Sequence, residues 1–257
     1  VVLVSAGGLL AYPDFLYLPG AALVRSQGLL QPLAAALADP SPLIPYWTIF
    51  ASSLYTLGGI FFIYIFFGRT QSPEIIFIAF FIMSFSLECA RLAGPLREVL
   101  EFPALYLRIA PRVLLFGRYF GIFSLFGASV FAAAFDVQKQ LNIFFMAILA
   151  SLVITLNVPM DGLSWDTALT PLKGYSSMLI MVEGGIIAAM ILTFFISAYI
   201  QSSRNYIYIG LGSILMLIGR NILLSSDTLL SPIPGFLILA GGTWFTCAWL
   251  HKIYLWR

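Results

Sequence analysis

Charge is what this sequence has least of. Only 9% of its 257 residues are Asp, Glu, Lys or Arg, against roughly 25% in a soluble globular domain. A chain so poor in charge cannot clothe a folded core in hydrated side chains. Histidine is scarcer still, with His251 the only one, so neither a multi-histidine metal site nor a bis-histidine haem can be assembled. The two cysteines, Cys89 and Cys247, fall in different apolar runs and form neither a disulfide framework nor a metal motif. No metal or other cofactor is expected. A formal charge of +2 without any Lys/Arg cluster offers nucleic acid nothing to hold. The G-x-S-x-G elbow, the P-loop and H-E-x-x-H are also missing. Glu88 and Glu183 as acid and base is the one catalytic pairing conceivable, and an enzyme is not expected.

What fills the space is apolar: 61% of the residues are hydrophobic and the mean hydropathy is +0.99. An integral membrane protein follows. Seven continuous apolar runs lie at about 43–67, 75–94, 112–135, 142–158, 175–200, 206–224 and 233–251, each near the 17–25 residues that a spanning helix needs. Continuous runs, unlike alternating ten-residue segments, disfavour a β-barrel. The predicted fold class is an all-α integral membrane protein, a seven-transmembrane-helix bundle occupying 43–257. None of its linkers is long enough for a second domain, and no internal repeat points to a transporter made of duplicated halves.

Residues 1–42 form an apolar and amphipathic N-terminal segment. The sequence opens at Val1 and not at Met, as if an upstream piece were missing or removed. Val1–Ala11 is too short to cross alone and reads as the tail of a signal sequence or of an extra span. Gly28–Ala38 reads as a short surface or capping helix, or as a packed loop.

Orientation rests on the loops. Arg69, Lys139, Arg204, Lys252 and Arg257 lie on the C-terminal side, and Arg25, Arg97, Arg108, Arg112 and Lys173 on the other, a tie in basic residues. The acids Asp14, Asp39, Glu98, Glu101, Asp161, Asp166 and Asp227 gather on the second side. That leans towards the N-terminus outside and the C-terminus in the cytoplasm, although acids weigh little in the positive-inside rule. Trp244, Trp249, Tyr254 and Trp256 near one face, and Tyr46, Trp47 and Trp165 near the other, read as two aromatic belts. A plasma membrane or bacterial inner membrane is the expected location.

The informative residues are the few charges inside the runs. Glu88 and Arg91, three apart, share one helical face with Ser84. Arg118, Glu183 and Arg220 each sit inside another run, where a charge is costly, about 2.5–3.5 kcal/mol at the bilayer centre on insertion scales. On the seven-run topology all five fall in one half of the membrane, the outer half in the chosen orientation. Asn221 lies at that level, and Asn157 with Asp161 closes the fourth helix there. The five charges are therefore expected to meet. Two explanations stand beside each other. The arginines would snorkel, or the pairs would only fix helix register; alternatively, the set lines a cavity. Three arginines against two glutamates make that cavity net positive, suited to an anionic or zwitterionic ligand. Gly184-Gly185 after Glu183 leave room for close backbone approach or a ligand. Gly117 and Gly121 around Arg118 have the spacing of plain helix packing. Pro95–Pro111 reads as an interfacial amphipathic lid between two proline breaks, and Pro159–Gly174 as a second cover, with simple surface loops as the alternative for both.

In layout, over roughly 43–251, the chain resembles the rhodopsin-like bundles and the seven-helix sensor regions of bacterial signalling proteins. The resemblance implies a receptor or sensor. Retinal rhodopsins hold their chromophore on a lysine of the last helix, and Ile233–Leu250 has none, so retinal is not implied. The function expected is a receptor or sensor module with an outward polar cavity for a small anionic or amphiphilic ligand, signalling to a cytoplasmic protein partner. Its charge set would be Glu88, Arg91, Arg118, Glu183, Arg220, Asn221 and Asn157. The alternatives are a non-catalytic accessory subunit of a larger membrane complex and a small transporter.

Overall fold

In hydrocarbon a backbone N–H or C=O has no water to turn to, so an apolar run must satisfy its own peptide groups as a helix. The computed structural model describes residues 43–67, 72–100, 104–133, 137–165, 169, 171–201, 203, 205–225 and 232–255. The expectations for 1–42 lie outside them. The elements are α1 (Ile44–Phe67), α2 (Pro73–Ser84), a 3₁₀ segment (Phe85–Leu92), α3 (Ala93–Leu100), α4 (Ala104–Ala132), a 3₁₀ turn (Val137–Lys139), α5 (Gln140–Asn157), β1 (Met160–Trp165), β2 (Pro171–Lys173), α6 (Ser176–Ile200), α7 (Asn205–Leu224) and α8 (Pro232–Leu255). Seven helical stretches are long and apolar enough to cross a membrane, the second being the continuous rod from α2 through the 3₁₀ segment into α3. The chain is a multi-pass integral membrane protein. Its spans match the seven apolar runs.

The bundle is built around α4. Phe77, Phe81, Ile78 and Ile82 of α2 pack in one buried cluster with Ile122 and Leu125 of α4 and continue to Met216 and Leu217 of α7. Large apolar side chains elsewhere face outward: Leu57, Phe61 and Tyr64 on α1, Met146 and Leu149 on α5, Met181 and Leu192 on α6. That is the surface a lipid solvent selects. Buried hydroxyls are satisfied within their own helices. Ser52, Ser124, Ser151, Thr155, Ser197, Ser213 and Thr246 each donate to a carbonyl three or four residues back, an arrangement familiar in spanning helices. Between helices, buried Tyr55 of α1 and Thr243 of α8 share a hydrogen bond of 2.6 Å. Tyr55→Phe should lower stability by about 0.6–1 kcal/mol, the usual worth of such a bond in a membrane. Reversible unfolding in detergent measures it.

Several details differ from the sequence reading. Pro95 and Pro111 do not bound a loop. Pro95 lies three residues past the 3₁₀ segment inside the continuous rod, and Pro111 lies inside α4; spanning helices tolerate both. The rod reaches Leu100 and α4 already begins at Ala104, so the described part of 95–111 is helical. Between α5 and α6 the chain is not an open loop either. β1 and β2 pair antiparallel with an irregular register, Met160 opposite Lys173 and Trp165 opposite Pro171, and the Gly174 N–H donates to the Pro159 carbonyl at 3.0 Å. Glu74, which directly precedes the second apolar run, is buried in the first turn of α2, where its carboxylate accepts from the Ser72 hydroxyl at 2.6 Å. Trp244 lies at the middle of α8 and not at its end, whereas Trp249 fits the belt: it stacks on Tyr208 at 4.3 Å and carries Lys252 over its ring at 4.8 Å.

Candidate functional site

The organising feature is the 3₁₀ segment Phe85–Leu92 in the middle of the second span. A run of 3₁₀ this long inside a helix is uncommon, because its hydrogen-bond geometry is poorer and residues three apart eclipse. Here the eclipse sets Arg91 directly over Glu88, with Arg91 Nε 2.6 Å from Glu88 Oε2. Both are buried, Arg91 to 1% exposure.

The other charges come to this pair. Arg118 of α4 grips Glu88 as a fork, Nε donating to Oε1 at 3.0 Å and Nη2 to Oε2 at 3.3 Å. Gly117 and Gly121 make that approach feasible. A Cβ on Gly117 would fall 2.8 Å from the Leu87 Cβ, and one on Gly121 2.5 Å from the Ser84 hydroxyl. They are packing glycines, and Ser84 turns its hydroxyl to Phe81 of its own helix. Arg220 of α7 donates through Nη2 to the Arg118 carbonyl at 3.0 Å and through Nη1 to Glu183 of α6 at 2.9 Å and to Asn221 at 3.3 Å. Arg91 reaches the other way, its Nη1 donating to the Thr48 hydroxyl of α1 at 3.4 Å. One chain of contacts thus ties α1, the 3₁₀ segment, α4, α6 and α7 together at the end of the bundle where α1 begins. The five charges meet, as their placement in the runs predicts.

Two features decide what this cluster can do. First, it is not balanced. Three guanidinium groups face two carboxylates, and among the described residues the Arg91 Nε and Nη2 atoms are buried with no properly aligned hydrogen-bond acceptor. Second, it opens on one side. A cavity of about 340 Å³ between α4, α6 and α7 is lined at its polar end by Arg118, Glu183, Arg220 and Asn221, with Ser176 and Ser225. Its remaining wall is apolar, from Leu115, Ile122, Leu179, Ile180 and Leu224. Tyr119 completes it, its hydroxyl donating to the Leu179 carbonyl at 3.3 Å. Next to that wall Val158 and Met160, at the foot of the β ribbon, pack with Leu115, Tyr119 and Leu179.

Asn157 does not join the cluster. It is exposed on α5 and its Nδ2 donates to the Val153 carbonyl of its own helix at 2.7 Å, the usual competitor when a short amide sits on an outward face. Asp161 lies in β1 and not at a helix end. Among the described residues nothing from another helix comes within 4 Å of where a Cβ on Gly184 or Gly185 would stand. Thr48, Tyr119, Ser176 and Ser225 belong to the site without having been singled out; only their depth in the spans, level with the charges, signals it. His251 is at the opposite end, its ring edge-on to Phe67 at 5.6 Å. Among the described residues no group of His, Cys, Asp and Glu is placed to hold a metal ion. The chain matches no protein-family model, and a comparison with curated proteins finds no match.

Proposed function

We propose that this protein is a seven-helix membrane receptor or sensor module. Its cavity faces outward, takes a small anionic or amphiphilic ligand, and passes the change to a cytoplasmic partner. The observation that carries the reading is the excess cation: three arginines against two glutamates, two of those arginines lining an open cavity with an apolar wall. In a low-dielectric setting an uncompensated guanidinium is expensive, and an anion that neutralises it gains accordingly. The ligand site touches α4, α6 and α7, while the same contacts run on to α1, so a change at the cavity has a physical route across the bundle.

The test is a thermal-shift screen of the purified protein against anionic metabolites and lipids. A ligand should raise the melting temperature of the wild type and leave that of Arg220→Met unmoved. If no anion shifts the wild type, or if the shift survives in Arg220→Met, the cavity is not the binding site.

A second reading, an accessory subunit of a larger membrane complex, is favoured by one face of α6. Gly184, Gly185, Ala188 and Ala189 are exposed along it, and small residues at that spacing are what close helix–helix contacts use. Copurification of a stoichiometric partner that Gly185→Leu releases would favour it.

A further inference from the structure

The two carboxylates of the cluster are held very differently. Glu88 is at 5% side-chain exposure, with Arg118 forked onto both oxygens and Arg91 against one of them. It cannot leave without stranding buried Arg91 and half-buried Arg118. Glu183 is at 29% side-chain exposure, lines the cavity, and is held through one oxygen by Arg220. Arg220, by contrast, is pinned independently of Glu183, by the Arg118 carbonyl and by Asn221. If the Glu183 carboxylate swings away, the guanidinium stays where it is and still faces the cavity. The cation is the fixed half of this pair and the carboxylate the loose half.

We infer that Glu183 is an internal competitor for the ligand. Its carboxylate engages Arg220 as the anionic head of a ligand would, and binding exchanges one for the other. This rests on the reading of the cavity as an anion site. The exchange fits a singly charged carboxylate or phosphate head on an apolar tail. The head takes the place of the Glu183 carboxylate on Arg220, beside Arg118 and Asn221, so Arg220 stays paired throughout the exchange. The tail lies along Leu115, Ile122, Leu179 and Leu224. Displaced, Glu183 turns to the cavity mouth, where water carries its charge. The device sets a threshold: a ligand must bind Arg220 better than the resident carboxylate does. An acyl amphiphile adds the burial of its methylenes to that contest, which a bare anion does not.

The experiment compares decanoate binding to the wild type, Glu183→Gln and Arg220→Met, each in nanodiscs of zwitterionic lipid, with acetate and inorganic phosphate as head-only probes. Glu183→Gln keeps the shape and removes the competing charge. It should bind decanoate about fivefold or more tightly than wild type, the lower range of a coupling between sites. Arg220→Met should not bind it, and acetate and phosphate should bind more weakly than decanoate throughout. Glu183→Asp, whose shorter side chain draws the carboxylate back from Arg220, should shift affinity in the same direction and serves if Glu183→Gln does not fold. Decanoate binding that is equal or weaker in Glu183→Gln, with wild type still binding through Arg220, overturns the competitor and leaves the cavity as an anion site. Absence of binding by both folded proteins overturns the cavity reading as well. Acetate or phosphate binding as tightly as decanoate overturns the amphiphile and makes the ligand a soluble anion.

Discussion

Glu88→Gln should destabilise the bundle more than any other single change in the charge cluster, by about 3–5 kcal/mol, the range seen when one partner of a buried ion pair is removed. The reason is arithmetic before it is geometry. Glu88 is the carboxylate shared by Arg91 and Arg118. Neutralising it leaves buried Arg91 and half-buried Arg118 facing each other between the 3₁₀ segment and α4, with Arg220 bonded to the backbone of Arg118. Glutamine can accept a hydrogen bond at the same place but cannot cancel charge. Glu183→Gln strands only Arg220, which keeps its bonds to the Arg118 carbonyl and Asn221, and should cost clearly less. Unfolding of the variants in detergent, by denaturant and by heat, measures the difference. A Glu88→Gln protein within about 1 kcal/mol of wild type would mean that water reaches Arg91 and Arg118, and that the cluster is a solvated pore lining and not a buried network. Replacing Glu88, Arg91 and Arg118 together by leucine should recover much of the loss, because no charge is then left unpaired. That recovery would separate the cost of stranded cations from the loss of the contacts themselves.

How much of this was legible in the sequence follows from which forces act locally. The spans were legible because hydrocarbon leaves a backbone almost no choice: an apolar run of sufficient length is a helix. The meeting of Glu88, Arg91, Arg118, Glu183 and Arg220 was legible for a related reason. Topology fixes depth, charges at one depth in adjoining helices have few other places to go, and an unpaired one is costly. Beyond the neighbours Glu88 and Arg91, which charge pairs with which was not legible. The fork of Arg118 on Glu88 depends on the close approach permitted by Gly117 and Gly121, and the sequence does not say which helix lies against them. The 3₁₀ character of Phe85–Leu92 was hidden too, since no proline or glycine marks it. Asn157 was misassigned because depth alone does not fix which way a side chain points around its helix. The ends were read too short at Pro95–Pro111, where proline was taken as a breaker although spanning helices tolerate it.

A signal that was present and went unread lies in the glycines of the last two helices, and it carries the second large effect. Gly212 and Gly219 of α7 are seven residues apart, as are Gly235 and Gly242 of α8, so each helix shows a smooth strip two turns long. The strips face each other. A Cβ on Gly219 would fall 2.5 Å from the Leu239 nitrogen, one on Gly235 2.7 Å from the Leu223 nitrogen, and one on Gly242 2.9 Å from the Met216 nitrogen. These neighbours are backbone, which cannot rotate out of the way. Gly219→Leu must therefore push α7 and α8 apart, at the upper end of the usual overpacking cost, about 3 kcal/mol. Because Arg220 is the next residue, the same displacement draws its guanidinium from Glu183 and the Arg118 carbonyl, so the variant should lose anion binding together with stability. Gly241→Leu is the control. It lies on α8 with nothing among the described residues within 4 Å of its Cβ position and should stay within about 0.5 kcal/mol of wild type. If the two leucine variants unfold alike, the glycine seam is not what holds α7 against α8. If Gly219→Leu unfolds early while binding anions normally when folded, Arg220 is positioned by Asn221 and Arg118 without help from the seam. The expected result, early unfolding with loss of binding, makes helix packing and the charge cluster one mechanical unit: the closeness that glycine permits between α7 and α8 sets where the cation of the cavity stands.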